Sequence, residues 1–189
     1  KNILNLENIR QASLYPRDME RVDIRLSTLN KNQGRSMDLF SKIIQILDKK
    51  ELPYKLYEHE KVLTSEEAMK ARGTRLSQGA KALVMYADKK PVMIVLPADR
   101  KVDFKKFKAA QKLKDLKMAS PEEVKTLTGV EIGAVPPFGN LLNLPLYVDK
   151  NLQNEEQIVF NAGLHTKSIL LKYSDYIKIT DPIIGDYTS

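Results

Sequence analysis

The segment 80–96, AKALVMYADKKPVMIVL, decides the fold of this chain. It consists of two apolar runs of strand length, 80–87 and 91–96, with the polar residues 88–90 between them. Apolar runs of this length around a short polar turn are typical of a β-hairpin at the buried centre of a sheet. Lys81 is the one cation inside the first run, and it lies either at the solvated end of the strand or in a position held for a function.

On both sides of this hairpin, predicted helices and strands are interspersed. Short helices are predicted after residue 36, after Asp103, and at the capping boxes Thr64–Glu67 and Ser120–Glu123. Further strands are predicted at 54–59, 144–149, 157–161 and 167–171, and tight turns join several of them. The pattern predicts a mixed sheet in an α/β (α+β) domain and not a doubly wound parallel one. We expect the polar tail 181–189 to be loosely held.

The composition is that of a globular chain with a basic surplus. Of the 189 residues, 29% are charged and 42% are hydrophobic, and the formal net charge is +7. This surplus favours a polyanionic partner, of which RNA is the commonest, while a merely basic solvated surface is the alternative. The absence of cysteine excludes disulfides, thiolate catalysis and Cys-based zinc sites, and it fits a reducing cytoplasm. No apolar run is long enough to span a bilayer, so we expect a cytoplasmic protein without membrane association.

The loop 129–139, GVEIGAVPPFG, is the second informative segment. It contains three glycines, two adjacent prolines and a single charge. Glycine permits φ > 0 and proline fixes φ, so a stiff, irregular loop with free amides is expected. Such a loop can hold a carbonyl or phosphate oxygen without any charged side chain. The alternative is an ordinary rigid connection, launched from a helix that ends at Gly129.

Four segments occur together in an order and spacing known from one family: ADRKVD (98–103), ASPEEV (119–124), TGVEIGAVPPFG (128–139) and LPLYVD (144–149). Through them, residues 36–180 resemble the YbaK/prolyl-tRNA synthetase insertion-domain family, the aminoacyl-tRNA editing deacylases. The resemblance implies a mixed, partly barrel-like β-sheet flanked by short helices. It also implies hydrolysis of mischarged aminoacyl-tRNA, in trans or as an appended editing domain, with tRNA and an aminoacyl-tRNA synthetase as partners.

The same resemblance implies roles for individual residues. The working lysine of the family falls on Lys81 and its GxxxP loop on Gly133 to Pro137, which makes Lys81 and Gly133 the implied catalytic residues. The implied substrate-binding residues are His59, Ala134, Val135, Pro136, Pro137, Asn161, Gly163 and His165. Taken without the resemblance, His165 is explained as a turn histidine near the surface, and His59 as a strand residue with a local hydrogen bond.

The chemistry of such a reaction suits these residues. An ester between an amino acid and a tRNA 3′ end hydrolyses without a strong nucleophile if water is positioned and the developing oxyanion is stabilised. The sequence has no G-x-S-x-G motif and only two histidines, and its spacing indicates neither a metal site nor a Ser-His-Asp triad. We therefore expect an ester hydrolase without a metal or a cofactor. Lys81 would act as a fixed cation that binds the terminal phosphate or the ester carbonyl.

The N-terminal segment differs from the rest of the chain. The run LNLENIRQASLYPRDMERV (4–22), within residues 4–25, resembles the end of the catalytic domain in archaeal and eukaryotic-type aspartyl-tRNA synthetases. This resemblance implies a remnant or the tail of a fusion that cannot ligate amino acids itself. The expected organisation is an extension at 1–35, a deacylase domain at 36–180 and a tail at 181–189.

A second function also fits the sequence. The chain would then be a non-catalytic tRNA-binding appendage of an aminoacyl-tRNA synthetase, with the same fold and no turnover. The two functions differ in the pocket beside Gly133 to Pro137. An enzyme requires an open cavity with Lys81 directed into it, whereas a binding module allows side chains to fill it.

Overall fold

The structure is a computed structural model that describes residues 37–189 and, before them, the strand Ala12–Ser13. Apart from that strand, the predicted extension 1–35 lies outside the described residues. The described strands are β1 (Ala12–Ser13), β2 (Tyr54–Glu58), β3 (Ala80–Ala87), β4 (Lys90–Pro97), β5 (Leu116–Met118), β6 (Leu146–Asp149), β7 (Gln157–Leu164), β8 (Lys167–Lys172) and β9 (Ile183–Gly185). The described α-helices are α1 (Leu39–Lys49), α2 (Ser65–Arg72), α3 (Phe104–Gln111), α4 (Pro121–Thr128) and α5 (Tyr173–Thr180).

The predicted hairpin lies inside the larger of two sheets. β3 and β4 pair antiparallel along their whole length. Asp88 and Lys89 turn the chain with φ values of 46° and 69°, and positive φ at both central residues is typical of the tight turn that matches strand twist. The hairpin is confirmed, and its second strand begins at Lys90, one residue earlier than predicted. Lys81 pairs with Leu96 at the end of the hairpin far from the turn.

The two sheets differ in strand direction. In the five-stranded sheet, ordered β5-β3-β4-β6-β9, β6 is parallel to both neighbours, whereas β3 is antiparallel to β4 and β5. The four-stranded sheet, ordered β1-β2-β8-β7, is antiparallel throughout. The sheets meet at an isolated bridge between Gly79 and Val159, and the described strands of neither sheet close on themselves. The predicted mixed α+β fold is confirmed, but the described strands form two open sheets and not one partly barrel-like sheet.

The end of the chain is packed, so the expectation of a loosely held tail is wrong. β9 pairs with β6, and Tyr187 is only 1% exposed. Its ring lies edge-to-face on Phe107, with 5.0 Å between the ring centroids. The Tyr187 amide donates a hydrogen bond of 2.8 Å to the fully buried carboxylate of Asp149. The composition of 181–189 is polar, but its one aromatic residue, Tyr187, completes a small core on one face of the hairpin.

Two capped helices fix the segments around the site. At the start of α2, the Thr64 hydroxyl accepts a hydrogen bond from the Glu67 amide, and the Glu67 carboxylate accepts one from the Thr64 amide. Ser120 and Glu123 form the same reciprocal pair at the start of α4. α4 ends at Thr128 and is capped by Gly129, whose φ of 75° costs nothing in a residue without a Cβ atom. Both predicted capping boxes and the glycine cap are confirmed.

Candidate active site

A cavity of about 240 Å³ lies between α2, the start of β3, the loop 129–139 and β7. Four of the predicted site residues line it: Lys81, Gly133, Val135 and Asn161. Much of the remaining wall is apolar and includes Ala68, Met69, Ala80, Ala82, Leu83 and Phe160. Pockets that enclose drug-sized ligands have volumes of roughly 300–1,000 Å³. This smaller cavity therefore suits an amino acid together with the groups next to its ester, and not a larger ligand.

The loop that forms one wall is tied to its surroundings through its carbonyl groups. The Ala134 carbonyl accepts a hydrogen bond of 3.0 Å from the amide of Gly163. The Pro137 carbonyl accepts one of 2.7 Å from the hydroxyl of the buried Tyr176. Residues 134–137 are buried, whereas Gly133 is exposed and has a φ of 84°. Pro136 and Pro137 lie outside the cavity lining and anchor the loop from behind.

Two amides of this loop have no acceptor in the part of the chain that the structure describes. Among the residues that the structure describes, none accepts a hydrogen bond from the backbone N–H of Gly133 or of Val135. Both residues line the cavity. Backbone amides that are already fixed in place stabilise negative charge on a substrate oxygen without reorganisation during the reaction. This wall can therefore act as an oxyanion hole.

Lys81 lines the cavity, and its ammonium group is held by backbone carbonyls. The Nζ atom donates to the carbonyl of Arg100 at 2.9 Å and to that of Ala98 at 3.3 Å. An ammonium group carries three N–H donors, so one remains for a ligand. Burial lowers the pKa of Lys81, and the nearby carboxylates of Glu66 and Asp99 oppose that shift. The strand thus presents a fixed and partly desolvated cation at one end of the cavity.

Asn161 connects the loop to α2. Its Nδ2 donates to the Gly133 carbonyl, its Oδ1 accepts from Nη2 of Arg72, and the same Oδ1 lies 3.2 Å from the Ser168 hydroxyl oxygen. This orientation of the amide is the one that chemistry requires, because a guanidinium only donates and a carbonyl only accepts. Asn161 therefore fixes the backbone of Gly133 from inside the cavity.

His59 lies behind Asn161 and does not line the cavity. Its Nε2 is 2.7 Å from the Ser168 hydroxyl and its Nδ1 is 2.8 Å from the Glu60 carbonyl. This serine–histidine pair has the spacing of an activated nucleophile. Ser168 is fully buried, however, so no substrate can reach its hydroxyl. The pair supports Asn161 and is not a nucleophile with its base.

The remaining predicted residues lie on the outer side of the loop. Ala134, Gly163 and His165 line a separate, open cleft between the loop and α1. The Nδ1 atom of His165 is 3.0 Å from the Val62 carbonyl, and its Nε2 is 4.0 Å from the carboxylate of Glu131. A Cβ added to Gly133 would lie 3.2 Å from Cε1 of His165. His165 thus packs against the back of the loop at the glycine that forms the cavity wall.

Comparison with known proteins identifies this arrangement. The family model of the aminoacyl-tRNA editing domain matches residues 59–179, which include the loop, Lys81 and Asn161. The chain belongs to the aminoacyl-tRNA editing domain family. The match confirms the prediction of an editing deacylase, an ester hydrolase that acts on aminoacyl-tRNA.

Relatives of this editing domain occur both alone and inside a synthetase. The multifunctional Ser/Thr-tRNA deacylase ProXp-y of Escherichia coli strain K12 is 36% identical over 151 residues, which are 77% of this chain and 90% of that protein. A proline–tRNA ligase of Caldicellulosiruptor bescii is 31% identical over 123 residues, 64% of this chain and 21% of the ligase. The crystal structure of a candidate trans-editing enzyme for prolyl-tRNA synthetase superposes with a TM-score of 0.69 at 25% identity, covering 82% of this chain and 99% of that one.

These comparisons also limit the other predictions. None of the three relatives supports the resemblance of residues 4–25 to aspartyl-tRNA synthetases. No α-helix in residues 37–189 is long and apolar enough to cross a membrane. In the same residues, no group of three or more His, Asp or Glu side chains is placed to hold a metal ion.

Sequence reasoning missed two residues of the editing-domain cavity, Arg72 and Thr74. Arg72 is the last residue of α2, where a basic side chain ordinarily interacts with the helix dipole at the surface. In the fold it is directed inward, and its Nε atom is buried without a hydrogen-bond partner, as is the Thr74 hydroxyl. The sequence contains no signal for this, because the hydrogen-bond partner of Arg72 is Asn161 in β7, 89 residues later in the chain.

The charge of the cavity is one-sided. Its lining contains the cations Arg72, Arg75 and Lys81, and none of its lining residues, all of them described, is an aspartate or a glutamate. Arg75 is paired with Glu155 at the rim. The editing domain therefore offers an apolar chamber with free amides on one wall and excess positive charge, which suits an ester whose oxygen becomes negative during hydrolysis.

Proposed function

We propose that this chain removes serine and threonine from mischarged tRNA by water-mediated hydrolysis of the ester bond, without a metal ion. The wall of free amides at Gly133 and Val135 is the observation that carries the mechanism. The similarity to the E. coli Ser/Thr-tRNA deacylase supports the choice of amino acids. Small neutral side chains also suit the volume and the apolar lining of the cavity.

In this mechanism the cavity positions the ester and stabilises the charge that forms. The carbonyl oxygen of the ester lies at the amides of Gly133 and Val135, which hold the tetrahedral oxyanion. Lys81 offers its third N–H to the same substrate as a fixed cation. None of the described residues that line the cavity is a histidine, an aspartate or a glutamate, so the lining itself offers no imidazole or carboxylate to activate the hydroxyls of Thr64, Ser65 and Thr74. Water is therefore the nucleophile that we propose.

The alternative is a tRNA-binding appendage without turnover. It would allow side chains to fill the space beside the loop, and the open cavity with Lys81 in its lining favours the enzyme. We further propose that residues 36–180 form the deacylase domain, that tRNA and an aminoacyl-tRNA synthetase are its partners, and that it acts in the cytoplasm, where mischarged tRNA is formed.

A deacylation panel tests this function. The chain is incubated with tRNAs that carry serine, threonine, alanine, cysteine or the cognate amino acid, and release of the amino acid is followed. We expect the seryl and threonyl esters to be hydrolysed fastest, and the Lys81→Ala variant to be at least about 10²-fold slower, as for the loss of one electrostatic contact to the transition state. The matched control is Lys90→Ala, an exposed lysine at the opposite end of the same hairpin. If no ester is hydrolysed faster by the wild-type chain than by Lys81→Ala, the function is wrong.

A further inference from the structure

Arg72 is a cation in the cavity wall that has no anionic partner among the residues that the structure describes. Its one hydrogen bond within residues 37–189 runs from Nη2 to the neutral Oδ1 of Asn161. The Nε atom is buried without a partner, and Nη1 has none among the described residues. A guanidinium carries five N–H donors in a planar fork, so most of its capacity is unused. Arg75, three residues later, is by contrast paired with Glu155.

The environment of Arg72 opposes its charge. Burial lowers the pKa of Arg72 to about 10, which still leaves the guanidinium protonated at neutral pH. A buried charge without a counter-ion is destabilising, and proteins ordinarily pair it or remove it. Arg72 is accompanied by a second cation, because Lys81 lines the same cavity and burial lowers its pKa as well. The cavity is therefore incomplete until a ligand supplies negative charge.

The substrate carries one negative group next to the ester in every case. This is the phosphodiester that joins the terminal nucleotide to the rest of the tRNA, and it is present whatever amino acid is attached. A side-chain carboxylate would supply the same chemistry, but only in aspartyl and glutamyl esters. Arginine matches the paired oxygens of a phosphate better than any other side chain.

We propose that Arg72 binds the phosphodiester of the terminal nucleotide and thereby sets how deeply the ester enters the cavity. The proposal rests on the proposed function, because it assumes an aminoacyl-tRNA 3′ end as the ligand. Thr74 supports this contact, since its buried hydroxyl lines the same cavity and is free to donate a second hydrogen bond. Arg72 is thus a residue that places every substrate alike, while the apolar wall selects among amino acids.

A chemical double-mutant cycle tests the contact. Two seryl-RNA substrates are compared, one with the natural phosphodiester before the terminal adenosine and one with an uncharged methylphosphonate at that position. For wild type we expect kcat/KM to be about 10- to 100-fold lower on the methylphosphonate, the range of a charge-assisted hydrogen bond. For Arg72→Gln we expect that ratio to fall to about threefold or less, since the partner of the charge is gone. Arg72→Lys should restore part of the ratio because it restores the charge.

The controls separate this proposal from its alternatives. Lys70→Gln, which removes an exposed cation of the same helix α2 outside the cavity lining, should keep the wild-type ratio between the two substrates. An unchanged ratio in Arg72→Gln overturns the phosphate contact. A loss of activity in Arg72→Gln that appears only with aspartyl esters also overturns it, because Arg72 would then bind the side-chain carboxylate. If wild type hydrolyses no ester, the proposed function fails first. Binding of a CCA trinucleotide with and without the methylphosphonate then tests Arg72 alone. We expect the methylphosphonate to weaken binding to wild type and to have little effect on binding to Arg72→Gln. An equal effect on the Kd of both proteins overturns the proposal. Thermal unfolding of each variant shows whether the fold is retained.

Discussion

Replacing Gly133 by alanine should separate the chemistry of the loop from the stability of the fold. The residue has a φ of 84°, and an added Cβ would lie 3.2 Å from Cε1 of His165 and 3.6 Å from the Leu63 carbonyl. The left-handed backbone costs an alanine roughly 1–2 kcal/mol, and the contact with His165 adds to this. A domain with a stability of about 5–15 kcal/mol tolerates that loss and still folds.

The strain is relieved most easily by rotation of the peptide planes on either side of residue 133. Rotation removes the Gly133 amide from the cavity and breaks the hydrogen bond that its carbonyl accepts from Asn161. Loss of one oxyanion-hole donor typically lowers kcat by about 10²- to 10³-fold. We therefore expect Gly133→Ala to lose about this factor and Gly133→Val, which is β-branched, to lose all measurable turnover, while both variants stay folded.

Single-turnover deacylation of seryl-tRNA measures the effect, and thermal unfolding measures the stability. The matched control is Gly129→Ala, because Gly129 has a similar φ of 75° and nothing lies within 4 Å of an added Cβ. It carries the same backbone strain at the end of α4 without touching the cavity wall. Activity of Gly133→Ala within about threefold of the control would refute the role of main-chain geometry, for which one donor should matter about 10²-fold.

Three further results are expected. Asn161→Ala removes the tie between Gly133 and Arg72, so kcat should fall by about 10²-fold, the effect of a small misplacement of reacting groups; single-turnover rates equal to wild type would contradict this. Burial lowers the pKa of His59 below its ordinary value of 6.5, against the opposing effect of its hydrogen bond to the Glu60 carbonyl. The unfolded chain therefore binds this proton more readily, and the free energy of unfolding should fall as the pH drops through about 6.5, with the loss complete below the folded pKa. Urea denaturation between pH 8 and 5 should show a flatter dependence for His59→Gln, and an unchanged dependence would exclude His59 as its source. Tyr187→Ala should lower the free energy of unfolding by about 3–5 kcal/mol, as for other buried aromatic residues, and leave kcat/KM unchanged below the melting temperature; a small loss in urea denaturation would contradict the packed tail.

Local sequence signals predicted the parts of this fold that depend on neighbouring residues. The hairpin, both capping boxes and the glycine cap at Gly129 are of this kind, because their hydrogen bonds join residues a few positions apart. The tail was misjudged, since Tyr187 is stabilised by Phe107 and Asp149 from distant parts of the chain. Burial of that kind has no local signal.

The same division holds at the site. The GxxxP loop and Lys81 are visible as a motif and as an unexpected cation in an apolar strand. Arg72 is hidden, because the end of a helix is where an exposed arginine is ordinary. His59 was placed among the substrate-binding residues by resemblance, whereas in the fold it lies behind Asn161 and outside the cavity lining. Sequence alone thus predicted which segments form the cavity, but not which of their side chains line it.

The placement of protons behind the cavity gives Arg72 a second effect, the orientation of the Asn161 amide. The double-mutant cycle separates this effect from the phosphate contact. The Glu60 carbonyl can only accept, so Nδ1 of His59 carries a proton, and in neutral His59 the Nε2 atom must accept the proton of Ser168. Ser168 then has no proton left for Oδ1 of Asn161, so that, of the described residues, Arg72 alone donates to this oxygen and holds the amide towards Gly133. Arg72→Gln should therefore slow hydrolysis even of the methylphosphonate substrate, through the loop. That residual loss measures positioning, whereas the change in the ratio between substrates measures the phosphate contact. Because protonated His59 returns the Ser168 proton to Asn161, the positioning loss should shrink as the pH falls, and the change in the ratio should not.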